Sequence, residues 1–407
     1  MENDVLQLSL TNSEKHYPGL SDFLKDMTGA GALFDSVAPY LTVGAALERW
    51  EINEELFFKE LAERNQAAGE EKDYDVKKSF PPFVALFPCG LRNPFSVLFD
   101  TFMEEWGKKN DFLIEGNVNH ELSYYDYVDA VDDPDALPDL MITSDINSLF
   151  HKRFQDRFVD AGAFLPATTP TNPLFHRSGM ADPDNKYGFI ATNFLVAVVD
   201  RDKLGDRPMP ERWEDLLAPE FAQSIGVRGE EDFFCHSVSI PYYLLYGKEG
   251  LEKLARNIAA CYHPAEMVKL CNSPTADSPT VFIMPWFFAQ RIVKKDRNAI
   301  IFPDEGVFTS PISFFVKKEK AEEFREILDF LTGEKVAQLC EEMWFPSAYS
   351  KSSPAFPEDK KLYWVDWSVV RDGDVAELKK EIDLIYEKAL DRERRLALTG
   401  RGEQCES

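Results

Sequence analysis

Residues Val281–Ala289 read VFIMPWFFA. Val281, Phe282 and Ile283 form an apolar run of the length and composition of a short buried strand. Pro285 cannot donate a ladder hydrogen bond, so the strand is expected to stop there. The residues that follow, FFAQRIVKK, have helical potential. A strand ended by a rigid turn, with Trp286 at its tip between Met284, Pro285 and Phe287, makes a candidate wall for a ligand cleft.

Working back from this stretch, Ile225 to Arg228 reads as a strand and Trp213 to Leu217 as a short helix. Gly229 to Phe234 is expected to bend into a helix that passes Tyr242, Tyr243 and Tyr246 and ends at Gly247. Gly250 to Ala260 reads as another helix. Tyr187 to Asp200 (YGFIATNFLVAVVD) is rich in β-formers and suits one or two crossing strands. Further upstream, Phe83 to Phe87 is a strand, Pro88-Cys89-Gly90 a turn, and Asn93-Pro94 opens a helix that reaches Trp106. Phe112 to Glu115 and Leu137 to Thr143 are the next strands. Such a βαβ rhythm implies a mostly parallel sheet covered by helices. Ligands of such sheets bind outside the carboxyl ends of the strands. Downstream, Ala299 to Phe302 and Ile312 to Lys317 read as strands, and Ala321 to Leu331, Lys335 to Met343 and Val375 to Arg395 as helices.

A length of 407 residues suits two or three domains. The reading divides the chain into a small helical domain (1–70), a charged linker (71–79), a first lobe (80–185 and 301–350), a second lobe with crossing strands (186–300) and a helical extension (351–407). The class is α/β, two-lobed, preceded by a small all-α domain. In the amino-terminal part, Leu20 to Met27, Ala30 to Tyr40, Thr42 to Trp50 and a segment from Asn53 to Gln66 show helical patterning, with Asn53 as N-cap.

With 45 basic and 71 acidic residues the net charge is −26, which argues against nucleic-acid or anionic-membrane affinity. No apolar run approaches the roughly 18 residues of a membrane span, so no membrane insertion is expected. The opening MENDVLQLSLTNSEKHYPGL lacks a basic region followed by an apolar core, so it does not read as a secretory signal. The six cysteines, Cys89, Cys235, Cys261, Cys271, Cys340 and Cys405, form no CxxC pair and suit a reducing compartment. The sequence therefore points to the cytoplasm.

Several segments carry a resemblance. Trp213–Val227 (WEDLLAPEFAQSIGV), YGKEGLEKLARN from Tyr246, FPDEGVFTSPISFFVKK from Phe302, and LTGEKVAQL with FPSAYSK resemble extracellular solute-binding proteins of the iron/thiamine/polyamine type. CYHPAEMVKL before PWFFA, and PCGLRNPF after the first strand, are similar to clostridial-type members. The likeness spans about residues 82 to 350. It implies a type 2 periplasmic-binding fold and substrate binding for an ABC transporter, with an interdomain cleft that closes by hinge motion. APYLTVGAALERWEINEELFFKELAERN, from Ala38, resembles the small helical domain of iron–sulfur repair and redox-associated modules without their cysteine motif. A degenerate docking module is the reading there.

Ferric-binding members carry two adjacent tyrosines just after the equivalent of Val281–Ile283. Here Met284 to Phe288 offers no oxygen donor, and hard Fe(III) requires oxygen ligands. Tyr242-Tyr243 follows Pro241 in a helix, where neighbours point about 100° apart. No metal and no cofactor are expected, and the ligand is read as organic or anionic.

Each candidate residue has two readings. The Pro88-Cys89-Gly90 turn presents the N–H groups that follow the proline to an anion, or is a tight turn with a buried Cys. Ser144, Asp145 and Asn147 hydrogen-bond a ligand or cap a helix. At the second rim stand Arg228, Gly229, Glu230, Asp232 and Phe233, where Arg228 pairs with an acidic ligand or with Glu230. Trp286 stacks on a ligand or packs in the core. Asp304, in the turn with Glu305 and Gly306, meets a cationic ligand or solvent. His236 and His263 read as structural. The expected function is non-catalytic solute binding, with an ABC permease, or a cytosolic protein docked on the amino-terminal helices, as partner. A cytoplasmic ligand sensor or carrier, and an enzyme using Cys89 as nucleophile, are the alternatives.

Overall fold

A computed structural model describes residues 80–107, 111–116, 121–230, 233–354 and 356–402, together with residues 20, 24, 42–49 and 57. The chain divides into two compact units, Met1–Lys78 and Ser79–Ser407. In the first, Val43–Arg49 is helical and Leu20, Leu24, Val43, Ala46, Leu47 and Phe57 are buried. The other amino-terminal helices expected from the sequence, and the 71–79 linker, lie outside the described residues.

The second unit is built in chain order from β1 (Phe83–Phe87), α1 (Cys89–Trp106), β2 (Phe112–Gly116), α2 (Glu121–Ala130), β3 (Leu140–Ser144) and β4 (Gly188–Asp200). Next come β5 (Ile225–Glu230), β6 (Phe233–Phe234), α3 (His236–Asn257), β7 (Ile258–Tyr262), α4 (Pro264–Asn272), β8 (Val281–Pro285) and β9 (Asn298–Ile301). The remainder is β10 (Val307–Val316), α5 (Arg325–Leu331), α6 (Glu334–Glu342), β11 (Leu362–Tyr363) and α7 (Val375–Gly402).

The strands follow the order β2-β1-β3-β10-β4-β8-β5-β6, with β7, β9 and β11 branching from β5, β4 and β10. β2, β1 and β3 are mutually parallel, as are β8, β5 and β7. Between these two halves run β10 and β4, antiparallel to each other and to their outer neighbours. Each half is thus a βα unit of its own, and the two join through a pair of long strands.

β4 explains why those strands are stable. All of its residues are buried, as expected for a strand covered on both faces, where the sequence reads as a continuous apolar run instead of an alternating one. Phe189, Ile190, Phe194, Leu195, Val196, Val198 and Val199 are each fully buried. Together they contribute roughly 10–20 kcal/mol of transfer free energy before chain entropy is subtracted.

The Trp213 segment serves as a brace. Its indole is fully buried, stacks on Phe308 at 4.2 Å, and donates from Nε1 to the Gly306 carbonyl at 2.8 Å. Glu305 accepts from the Trp213 amide and from the Tyr246 hydroxyl at 2.6 Å. The WEDLL and PDEG segments therefore meet in space although about 90 residues separate them.

Several local expectations differ from what is found. Gly229 and Glu230 pair antiparallel with Phe234 and Phe233, so these residues are strand and not the start of a helix, because β5 finds a partner in β6. α3 starts only at His236, while its break at Gly247, whose φ of 64° and ψ of −168° are non-helical, falls where the sequence reading ends one helix before the next. Ile258 to Tyr262 is strand β7, not the end of a helix, since pairing with β5 overrides weak helical patterning. β10 is longer than expected and begins at Val307, paired there with β11.

Candidate functional site

The site is assembled around Asp145, the first residue beyond β3. Its amide donates to the Pro311 carbonyl at 2.9 Å, continuing the β3–β10 ladder by one step. Its φ of 66° lies in the left-handed region, which Asp tolerates better than most residues. That turn carries the carboxylate across the seam between the two halves. Asp145 Oδ1 accepts from Ser237 Oγ at 2.7 Å and from Ser310 Oγ, and Oδ2 accepts from Arg228 at 3.3 Å. Arg228 belongs to β5, Ser237 to the first turn of α3, and Ser310 to the crossing strand β10.

Both charged partners are largely withdrawn from water, with 22% of the Arg228 and 20% of the Asp145 side chain exposed. Burial alone would push the carboxyl up. The Arg228 charge and the hydrogen bonds from Ser310, Ser237 and Arg228 outweigh it and hold Asp145 below the ordinary carboxylate range. Burial likewise works against the guanidinium, but the Asp145 carboxylate beside it helps keep Arg228 charged. Arg228 therefore pairs with Asp145; the Glu230 side chain of the sequence alternative lies outside the described residues.

Cys89 is exposed at the first turn of α1 and close enough to Arg228 to interact with it electrostatically. No side chain caps α1 at Pro88 or α3 at Cys235. Two helix N-termini without a side-chain cap at Pro88 or Cys235 thus converge near one guanidinium. Gly90 is covered by Phe287, and a Cβ placed on Gly90 would lie 2.6 Å from the Phe287 ring. Residues 88–90, 145, 228 and 287, drawn from both halves, are therefore brought together.

Other candidates are placed elsewhere. Ser144 Oγ donates to the Leu86 carbonyl at 2.8 Å inside the sheet. Asn147 donates to the Ser144 carbonyl at 2.9 Å and accepts from the Leu149 amide at 2.9 Å. Both hold the Asp145 loop in shape. Met284 is fully buried, and Pro285 ends β8 opposite Leu195. Half-buried Trp286 stacks on Phe194 at 5.7 Å and meets Phe302 edge-on at 5.0 Å, packed against the core cluster that holds Phe194 and Met284. The short helical turn Trp286–Ala289 points Trp286 and Phe287 in different directions, and Phe287 is the one that reaches Gly90. Asp304 pairs with Lys360 on the surface. Gly229 and Glu230 pair with Phe234 and Phe233 in the hairpin. Asp232, and the side chains of Glu230 and Phe233, lie outside the described residues.

Sequence reading missed a second layer. His151 Nδ1 lies 2.9 Å from Asp129, and its Nε2 lies 3.2 Å from Lys379 Nζ on α7. Because the Asp129 carboxylate only accepts, Nδ1 carries the proton and Nε2 accepts from the ammonium. His236 Nε2 bonds Asp383, also on α7, at 2.9 Å. Ser237, Ser310, His151 and Lys379 are isolated polar residues in the sequence, with no motif to single them out. Among the described residues no group of three or more His, Cys, Asp or Glu side chains is placed to hold a metal ion, and no helix is long and apolar enough to cross a membrane.

Two parallel half-sheets joined by crossing strands, with ligand-capable groups at the seam, define the two-lobed type 2 periplasmic-binding fold. The model of the bacterial extracellular solute-binding protein family matches residues 135–372, and the chain belongs to that family. It is thus a solute-binding protein of the kind that serves ABC transporters. No curated protein matches the chain. Among solved structures, the Trichodesmium protein IdiA (FutA) in complex with iron and citrate is similar at 14% identity and TM-score 0.53, covering 75% of this chain and 98% of that one. The ferric binding protein from Campylobacter jejuni is similar at 15% identity and TM-score 0.53, over 75% of this chain and 98% of that one. The periplasmic binding protein AfuA from Actinobacillus pleuropneumoniae, with fructose-6-phosphate bound, gives 15% and 0.52 over 77% and 98%. The cytoplasmic placement read from the sequence is overturned by the family match, since the family is extracellular.

Proposed function

We propose that this solute-binding protein carries a small organic anion to an ABC permease, seated at the seam between the Pro88–Gly90 turn and Arg228. The observation that carries this reading is the convergence of donors on one point: the Arg228 guanidinium and the Ser237 and Ser310 hydroxyls, all bound to a single carboxylate. Uncapped N-termini of α1 and α3 add positive potential at the same place. A planar guanidinium flanked by hydroxyls and amides suits carboxylate or phosphate oxygens. Citrate and fructose-6-phosphate, bound by two proteins of the same fold, are anions of this chemistry. Ferric ion is disfavoured because Met284 to Phe288 supplies no oxygen donor where ferric-binding members place their tyrosines.

Closure is a hinge motion about β4 and β10, the two long strands between the halves. Ligand contacts on Arg228 and Ser237 from one side, and on the Pro88–Gly90 turn from the other, favour the closed form over the open one.

The test is native mass spectrometry of the purified protein to identify co-purifying ligand, followed by titration of that compound into wild type and Arg228→Ala. A loss of tenfold or more is expected, since removing the charged donor costs about 1.4 kcal/mol or more. Recovery of a neutral or cationic compound, or unchanged affinity in the variant, would sink the reading.

A further inference from the structure

We propose that Asp145 is a built-in competitor: its carboxylate occupies the seat on Arg228, Ser237 and Ser310, and the anionic solute binds by displacing it. The inference rests on the anion seat argued above and adds to it the residue that sets its affinity.

Three observations carry it. First, an Arg228 N–H and the Ser237 and Ser310 hydroxyls are already spent on Asp145, so an incoming carboxylate or phosphate meets a resident carboxylate at these donors. Second, Asp145 reaches the seat through a backbone turn with φ of 66°, the only one of its loop's residues in the left-handed region. Outliers of this kind persist where the surroundings over-determine them, and they gather at ligand clamps and switches. Third, the neighbours that shape the loop are independent of the carboxylate. Ser144 is anchored to Leu86, Asn147 to the Ser144 carbonyl and the Leu149 amide, and the Asp145 amide to Pro311. The carboxylate can therefore swing off Arg228 while the loop keeps its shape.

The chemistry is an exchange of one anion for another at the same donors, so the guanidinium is never left without a counter-charge. That matters because an unpaired buried charge is far more costly than a paired one. The exchange discriminates by charge and denticity. An anion with a second carboxylate or a phosphate dianion replaces Asp145 with additional contacts at the helix N-termini. A weak monodentate anion gains nothing over the resident carboxylate.

Asp145→Asn is the discriminating variant. Asn tolerates a left-handed φ, retains the shape, and removes the charge that competes. Asp145→Gly tests the same point with the side chain gone and the backbone relaxed. Isothermal titration at fixed ionic strength uses citrate, inorganic phosphate and fructose-6-phosphate as probes against wild type, both Asp145 variants and Arg228→Ala. The expected result is that at least one probe binds both Asp145 variants about tenfold or more tighter than wild type, in line with coupling energies of close charge pairs, while Arg228→Ala loses it. If Arg228→Ala binds like wild type, the anion seat itself is wrong. If Arg228→Ala loses binding but the Asp145 variants bind equally or more weakly than wild type, the seat stands and the competitor is overturned. If no probe binds any of the proteins, the proposal is overturned as well.

Discussion

The Phe287 ring lies flat enough against Gly90 that a Cβ there would sit 2.6 Å from Phe287 Cδ1. Phe287 also faces Phe345 at 5.9 Å and carries the Arg291 guanidinium over its ring at 4.4 Å. The ring is thus held on several sides while it covers the turn that opens α1. Gly90→Ala is expected to destabilise the protein by about 1–3 kcal/mol through overpacking, read as a lower denaturant midpoint. The same change in a Phe287→Leu background should cost less. An equal cost in both backgrounds would break the link between the two residues.

Trp286 is expected to behave as a core residue. Its indole packs on Phe194 and Phe302, and its Nε1 is buried without a hydrogen-bond partner among the described residues. Trp286→Ala should cost about 2 kcal/mol or more. Trp286→Phe should cost much less, because it also removes an unsatisfied buried donor. Titration of the co-purified solute should give affinities for Trp286→Phe within about threefold of wild type, a factor worth about 0.6 kcal/mol. A tenfold loss would return this tryptophan to the binding wall.

The brace at Trp213 makes a separate prediction. Trp213→Phe keeps most of the stacking on Phe308 but removes the donor to the Gly306 carbonyl. Leaving that buried acceptor unsatisfied costs about 1–3 kcal/mol. Equilibrium unfolding monitored by circular dichroism reads this directly, and a neutral result would show that water replaces the indole N–H.

Lys379 introduces a pH dependence. Burial pushes its ammonium down to about 8, against the partial support of Asp129, Asp145 and Asp383. The unfolded chain holds that proton until roughly pH 10.4. Between those two values the unfolded state binds more protons, so the native state gains stability as pH rises from about 8 to about 10. Lys379→Met lacks this contribution. The stability of wild type relative to Lys379→Met, followed by urea unfolding at several pH values, should therefore rise over that interval and stay flat below pH 7. A flat difference throughout would mean the ammonium is solvated.

Much of the architecture was legible along the chain. The runs FVALF, LPDLMIT and VFIMP, each followed by Pro, Gly or a capping residue, announce strands whose pairing is βαβ. The uniformly apolar 13-residue stretch of β4 announces a strand buried on both faces. Segment order also sufficed for the family. Errors fell where pairing overrode local preference, at the β5–β6 hairpin and at β7. The compartment was misread because a signal's absence was taken as information.

The site was only half legible. That residues 88–90, 144–147 and 228 stand at strand ends follows from the alternation of strands and helices, which one sequence displays by itself. Which of them face each other does not follow. Asp145 meets Ser237 and Ser310 across 92 and 165 residues. Phe287, and not its neighbour Trp286, is the residue turned toward Gly90. Local composition sets the periods of strands and helices, because those depend on bonds a few residues apart. The choice of partners for a buried carboxylate or an aromatic ring depends on how two half-sheets fold together about β4 and β10, and only the tertiary structure decides that.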